Sequence, residues 1–181
     1  MSAVLVEDGP DKGAVWHFGE PVKEQRALEA GTAWADLSHY NIVAVSGADR
    51  LQWLHDLTTQ FVSDLAPGDW KSNMILDARG HIEFQFNIVD DGETTFLVLD
   101  PGYIDQLIEY LTKMKFMLRV DVRDASSEYA VLRAPGMPNE IGGPFALVPR
   151  AEVEEMKKTF GGVATQAGTW ALDAERVAAG R

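Results

Sequence analysis

The sequence of 181 residues contains no cysteine. This absence excludes disulfide bonds, cysteine nucleophiles, and zinc or iron–sulfur sites held by thiolates of this chain. The four histidines are scattered, and none has the spacing of a histidine-based metal motif. Neither the P-loop nor the glycine fingerprint of dinucleotide-binding proteins occurs. The sequence therefore predicts no bound metal and contains no familiar catalytic motif.

Positive charge is also scarce. Lysine and arginine number 16 against 28 aspartates and glutamates, so the formal net charge is −12. Because such a field repels phosphate backbones and anionic lipids, we expect neither nucleic acid nor a membrane among the partners. No apolar run approaches the roughly 20 residues of a membrane helix, and the N-terminus lacks the features of a signal peptide. These absences predict a cytoplasmic protein.

The most informative segment that is present alternates between apolar and polar residues and lies between two turn signals, at 77–80 and 90–92. The apolar positions are Ile82, Phe84, Phe86 and Ile88, and the polar positions are Glu83, Gln85 and Asn87. A period of two predicts a strand whose apolar side chains face a core. Asp90 and Asp91 precede a turn glycine and are predicted to be solvated turn residues.

The order of the predicted elements indicates an α+β fold. From Asn41 to Val122 the signals run strand, helix, three strands, helix, strand. Allowing for one extra hairpin, this order is that of a ferredoxin-like βαββαβ unit in a mostly antiparallel sheet. Three prolines and three glycines within 135–144 predict a linker. The predicted organisation is thus a domain over 1–134, a linker over 135–144 and a partial second subdomain over 145–181.

Several blocks in a fixed order carry a resemblance to a known family. They lie at 36–40 (DLSHY), 46–59 (SGADRLQWLHDLTT), 65–68 (LAPG), 76–82 (LDARGHI), 147–150 (LVPR) and 174–180 (AERVAAG). Together they resemble the folate-binding GcvT/YgfZ superfamily, which includes the aminomethyltransferase (T-protein) of glycine cleavage and the YgfZ-type proteins of iron–sulfur cluster maintenance. The resemblance implies a folate-binding domain of intertwined ferredoxin-like units with antiparallel sheets.

The resemblance also implies a ligand site. In T-proteins the strand after the glycine turn carries an aspartate that faces the folate and assists one-carbon transfer, and Gln85 occupies that position here. A carboxylate can hold a proton, whereas an amide does not titrate. Tyr40 lies where T-proteins place a cavity-lining methionine, and Val98 and Asp100 lie at the cavity-lining end of the next strand. The resemblance therefore assigns Tyr40, Gln85, Val98 and Asp100 to binding of tetrahydrofolate, and it assigns no catalytic residue.

Other positions depart from the family pattern. T-proteins hold the pterin with a glutamate in a glycine-rich segment, and Phe145 occupies that position here. This change leaves pterin donors unpaired at a cost of about 1–3 kcal/mol, unless Glu140 substitutes. The arginine that meets the folate tail is replaced near Leu172. Neither the YgfZ hallmark Lys-Gly-Cys-Tyr-x-Gly-Gln-Glu nor the C-terminal barrel follows, so we expect a truncated or abbreviated member.

Three functional hypotheses remain open at this point. The first is a YgfZ-like protein of iron–sulfur cluster assembly or repair, which binds a folate-type molecule, serves iron–sulfur assembly proteins or client enzymes, and lacks aminomethyltransferase activity. The second is a tetrahydrofolate-dependent aminomethyltransferase of glycine cleavage, which requires Gln85 to be dispensable. The third is a scaffold or binding module that has kept the fold and lost the ligand, which Phe145 and Leu172 favour.

Overall fold

The computed structural model describes residues 2–136, 145–178 and 180. The strands are β1 (Val4–Leu5), β2 (Val15–His17), β3 (Ala33–Asp36), β4 (Asn41–Ser46), β5 (Trp70–Leu76), β6 (Ile82–Asp90), β7 (Thr94–Leu99), β8 (Asp121–Asp124), β9 (Tyr129–Arg133), β10 (Phe145–Pro149) and β11 (Thr165–Ala167). The helices are α1 (Pro21–Glu29), α2 (Arg50–Leu57), α3 (Ile104–Met114), α4 (Val153–Gly161) and α5 (Thr169–Ala178), and a 3₁₀ turn (Arg150–Glu152) precedes α4. Glu140 and the rest of 137–144, most of the predicted linker, lie outside the described residues.

The chain divides into two compact units. Unit 1 comprises Met1–His39 together with Glu128–Arg181, and unit 2 is Tyr40–Ser127. Unit 2 is therefore an insertion between two parts of unit 1 along the chain. The predicted division into 1–134, 135–144 and 145–181 stays a prediction. No helix in the described ranges is long and apolar enough to cross a membrane.

Unit 2 is built on a five-stranded sheet in the order β5-β6-β7-β4-β8. Every neighbouring pair in this sheet is antiparallel. Helix α2 connects β4 to β5, and α3 connects β7 to β8. Removal of the edge strand β5 leaves the βαββαβ order of a ferredoxin-like unit. The α+β fold is thus confirmed, and the addition to the ferredoxin-like unit is the single strand β5.

The helices of unit 2 cover one face of this sheet. Their buried contacts are Trp53 and Leu54 from α2 and Leu107 and Leu111 from α3, which pack against Val43, Val45, Ile75, Phe86, Ile88, Leu97 and Leu99 of the strands. Leu107 and Leu111 are four residues apart and so lie on one side of their helix. Along β6, Phe86 points toward the helices, whereas Gln85 and Asn87 point to the opposite face of the sheet.

The predicted alternation in β6 holds in its second half and fails at its beginning. Phe86 and Ile88 are buried, at 2% and 0% exposure. Ile82 was expected to face the core, but it is 58% exposed. The prediction is wrong there because Ile82 is the first residue of β6, directly after the turn, and it lies outside the buried cluster of unit 2. Val89 is buried although its position has the opposite parity, so the middle of the sheet is buried on both faces.

Unit 1 contains a four-stranded sheet in the order β10-β9-β3-β11, and β1 and β2 form a separate pair. The pairing of β11 with β3 is parallel, which among the described strands departs from the antiparallel sheets that the resemblance implies. One core cluster joins Leu28 of α1 and Ala171 of α5 to Ala33 and Ala167 of the strands. A second cluster, Ala130, Leu132, Val148 and Val153, lies where α4 packs.

Candidate functional site

Three of the four predicted ligand residues lie in one row at one end of the sheet of unit 2. Asn41 pairs with Leu99, and Tyr40 and Asp100 are the next residues on those two strands. Strand β6 pairs with β7 with Asn87 opposite Val98. Gln85 lies two residues before Asn87 on β6, and Asp100 lies two residues after Val98, one residue beyond the end of β7. The row of Tyr40, Asp100 and Gln85 therefore lies at one end of three adjacent strands.

Val98 occupies the next row, further into the sheet. It pairs with Ile42 on one side and with Asn87 on the other. Because side chains two residues apart on a strand share a face, Gln85 lies on the face of Asn87, and Val98, the partner of Asn87, lies on it too. Val98 is buried, Tyr40 is half-buried, and Gln85 and Asp100 are exposed. Gln85 and Val98 thus share one face, Tyr40 and Asp100 lie at the same end of the sheet, and the role of these residues in binding stays a prediction.

Two further polar residues lie beside this row, and sequence reasoning did not select them. Ser72 on β5 and Asn87 on β6 are directly opposite each other in the sheet, and both are half-buried. Within the described part of the chain, the side chains of Ser72, Gln85 and Asn87 make no hydrogen bond. The alternating pattern had already placed Asn87 on the polar face. Its neighbour Ser72 could not be identified without the register of β5 against β6.

Asp90 was predicted to be a solvated turn residue, and this prediction is wrong. Asp90 is 1% exposed, and its carboxylate accepts hydrogen bonds from Arg50 Nε at 2.9 Å and Nη2 at 2.8 Å. The Thr95 hydroxyl and the Gly92 N–H also donate to it, at 2.5 and 2.7 Å. Burial acts to raise the pKa of Asp90, but these donors outweigh burial and hold the pKa below its usual value. Asp90 is therefore an anchor of the β6–β7 hairpin, whereas Asp91 is exposed in the turn.

The two positions that depart from the family pattern belong to unit 1. Phe145 opens β10 opposite Arg133 and is half-buried. Leu172 packs against the cluster of Leu28, Ala33, Ala167 and Ala171. An apolar residue at 172 therefore completes a core, which is a structural use for the side chain that replaces the expected arginine.

A cavity of about 470 Å³ lies within unit 1, where β3 ends beside β11 and the N-terminal arm. Its polar lining includes Asp36, Ser38, His39 and Gln166. Lys157 Nζ lies 2.6 Å from Asp36 Oδ2, and Asp11 Oδ1 lies 2.8 Å from His39 Nε2. Burial acts to raise the pKa of Asp36, but hydrogen bonds from Lys157 and Ser38 lower it overall. The charged groups of this cavity thus largely satisfy one another, and no described cluster of acidic and histidine side chains could hold a metal ion.

Comparison with known families decides the affiliation of the chain. The family model described as the GCVT N-terminal domain matches residues 13–139, which is more than half of the chain. The chain belongs to this family. The expected membership of the GcvT/YgfZ folate-binding superfamily is thereby confirmed.

A structural likeness extends beyond the residues that the family model matches. The crystal structure of the glycine cleavage system aminomethyltransferase T from Bartonella henselae aligns with 99% of this chain at a TM-score of 0.79 and 16% sequence identity. The chain spans 59% of the length of that protein. At this identity the likeness shows the fold alone. No curated protein matches the chain in sequence.

Proposed function

We propose that this GCVT-family chain binds tetrahydrofolate or a related folate at the row of Tyr40, Asp100 and Gln85, and that it does not transfer an aminomethyl group. The observation that carries the proposal is Gln85, an exposed amide without a hydrogen-bond partner in the described chain, at the position where transferases of the superfamily carry an aspartate. The row contains an amide, a phenol and a carboxylate, and Val98 supplies apolar surface beside them. Membership of the family supports folate as the ligand.

The chemistry of the amide supports binding without catalysis. An aspartate in this place can take up a proton or stabilise a developing ammonium, but the amide of Gln85 does neither at any ordinary pH. The NH₂ group of Gln85 can still donate a hydrogen bond to a ligand, and its carbonyl oxygen can accept one. Tetrahydrofolate, when bound, would supply the amines that accept a one-carbon unit, and this chain's part would be to hold and orient it.

The cellular role that we propose is maintenance of iron–sulfur enzymes, as in the YgfZ-type proteins that the sequence resembles. The partners would be iron–sulfur assembly proteins or client enzymes, in the cytoplasm. Deletion of the gene should lower the activity of iron–sulfur enzymes per amount of their protein, and the wild-type gene should restore it. Unchanged iron–sulfur enzyme activities in the deletion strain would reject this role, while folate binding would remain open to its own test.

Folate binding is tested by thermal unfolding. A ligand at 100 times its dissociation constant stabilises the native state by about 2.7 kcal/mol, so tetrahydrofolate should raise the melting temperature of the wild type. The variant Gln85→Ala should lose part of that protection. Gln52→Ala is the matched control, because Gln52 is an exposed amide on α2, which packs on the other face of the sheet. The absence of any shift at millimolar tetrahydrofolate would overturn the proposal and favour the ligand-free scaffold.

A second candidate function is aminomethyl transfer, and Asp100 is the observation that favours it. Asp100 is a carboxylate in the same row as Gln85, on the neighbouring strand. The fold is also that of an aminomethyltransferase. Formation of methylenetetrahydrofolate from an aminomethylated lipoyl carrier decides between the two functions. Turnover by the wild type that is lost in Asp100→Asn would establish transfer, whereas we expect no turnover from either protein.

A further inference from the structure

We propose that Asn87, with Ser72 beside it, is a specificity-determining part of the ligand site and recognises a neutral edge of the ligand that presents a hydrogen-bond donor next to an acceptor. This inference rests on the proposed function and names the chemistry that the same site selects. The proposed site thereby extends along β6 from Gln85 to Asn87, toward the interior of the sheet. Neither residue lies at a position that the family resemblance assigned to the ligand.

The register of the sheet places these side chains together. Ser72 and Asn87 are direct partners across β5 and β6, and Met74 and Gln85 form the next pair on the same face. Opposite side chains in an antiparallel pair have Cβ atoms about 4.5–5.5 Å apart. Asn87 and Gln85 are two residues apart on one strand, so their side chains are about 7 Å apart. A single planar ligand is long enough to meet both amides.

The environment of Asn87 makes its lack of a partner informative. Asn87 is half-buried and pairs with Val98, which is 2% exposed, on its other side. Val89, on the same strand and face, is 6% exposed. Among the described residues, Trp34 Nε1 is the only fully buried side-chain nitrogen or oxygen without a hydrogen-bond partner, so the amide of Asn87 keeps contact with water. An amide that has Ser72 and Val98 across the sheet from it and that the fold leaves to solvent is therefore accessible to a group that arrives from outside.

The chemistry of the side chain defines what that group is. A carboxamide places one acceptor oxygen beside one donor nitrogen, and it pairs best with an edge that offers a donor beside an acceptor. A pterin ring and a purine both carry such an edge, as asparagine pairing with adenine illustrates. Charged residues do not contribute at this row, so the site selects for a neutral edge.

Two substitutions test the inference. Asn87→Leu keeps a similar volume and removes both hydrogen-bonding atoms, and Gln52→Leu makes the same change on the exposed side of α2. Binding of tetrahydrofolate is measured by calorimetry, and the melting temperature is measured without ligand. We expect Asn87→Leu to raise the dissociation constant about tenfold, as for the loss of one or two hydrogen bonds. The same variant should melt at the wild-type temperature or above it, and Gln52→Leu should bind like the wild type.

A spectroscopic readout separates contact from indirect effects. The side-chain amide resonance of Asn87, assigned by its disappearance in Asn87→Leu, should shift when tetrahydrofolate is added. Wild-type affinity in Asn87→Leu would overturn the inference and leave the proposed function standing. Weaker binding together with a lower melting temperature and an unshifted resonance would also overturn it, because Asn87 would then act through the fold. If the wild type binds no tetrahydrofolate, the proposed function fails and the inference falls with it.

Discussion

Two asparagines on neighbouring strands of unit 2 are used in opposite ways. Asn73 of β5 pairs with Phe86 and so faces the helices, and it is fully buried. Its Oδ1 accepts from the Gln60 and Met74 N–H groups and the Thr59 hydroxyl, at 3.1, 2.9 and 3.3 Å, and its Nδ2 donates to the Thr58 hydroxyl at 2.8 Å. Asn87 of β6 faces the other way and makes no side-chain hydrogen bond in the described chain.

The difference separates groups that the fold uses from groups that it leaves available. The side chain of Asn73 hydrogen-bonds to Thr58, Thr59 and Gln60 and so connects the segment after α2 to the sheet. Asn87 also lies within a paired strand, but its side chain makes no hydrogen bond in the described chain. Burial and hydrogen bonding agree in this contrast: the buried amide of Asn73 is hydrogen-bonded within the fold, whereas the half-buried amide of Asn87 keeps contact with water.

The largest expected effect is the loss of Asn73. The variant Asn73→Leu removes four hydrogen bonds and leaves buried groups unsatisfied, and we expect it to lower the free energy of unfolding by about 2–4 kcal/mol. Urea unfolding measures the change. Asn87→Leu, measured in parallel, should leave stability unchanged or increase it. Equal losses in the two variants would show that the contrast between the asparagines is not energetic.

Asp90 gives a second, smaller test on the same strand as Asn87. Asp90→Asn removes the charge that faces Arg50, and hydrogen bonds to charged groups stabilise by about 1.5–3 kcal/mol, so we expect a loss of about 2 kcal/mol at pH 7. The folded-state pKa of Asp90 is lowered. Its contribution is therefore present above the unfolded value, about 3.9, and disappears as the pH falls through the folded value.

The matched control for this experiment is the adjacent aspartate. Asp91 is exposed, and its Oδ1 accepts from the Glu93 and Thr94 N–H groups at 2.9 and 2.7 Å, contacts that an asparagine can keep. Asp91→Asn should therefore have the free energy of unfolding of the wild type at pH 7. Urea unfolding between pH 2 and pH 7 should show the gap between wild type and Asp90→Asn closing below about pH 4. A gap that stays constant over this range would mean that the charge of Asp90 does not stabilise the fold.

Much of the fold of unit 2 could be predicted from the sequence, because its signals are local. The alternation in β6 and the turn signals on either side of it gave the right strands in the right order. The parity of that alternation also placed Gln85 and Asn87 on one face. These are properties of successive residues, and a single sequence contains them.

Pairing between distant segments could not be predicted in the same way. The turn chemistry of 90–92 pointed to a solvated Asp90, but Arg50 lies 40 residues away along the chain and reverses that conclusion. Nothing in the sequence distinguishes Ser72 from other polar strand residues, and only the pairing of β5 with β6 shows that it lies opposite Asn87. The hydrogen bonds of Asn73 come mainly from a segment 13–15 residues earlier. Partners at such separations depend on how elements pack, which composition and periodicity leave undetermined.

The smallest expected effect completes the contrast between satisfied and unsatisfied groups. The hydroxyl of Ser72 has no partner in the described chain, so Ser72→Ala should change the free energy of unfolding by no more than about 0.5 kcal/mol. Thr95 is the matched residue in the same sheet: it is fully buried, and its hydroxyl donates to Asp90 at 2.5 Å. Thr95→Val should therefore cost clearly more, since it removes one of the hydrogen bonds to the buried carboxylate of Asp90, whose Oδ2 then keeps only the bond from Arg50 Nε. If urea unfolding shows Ser72→Ala to be as damaging as Thr95→Val, then Ser72 serves the fold, and the face that it shares with Asn87 is structural.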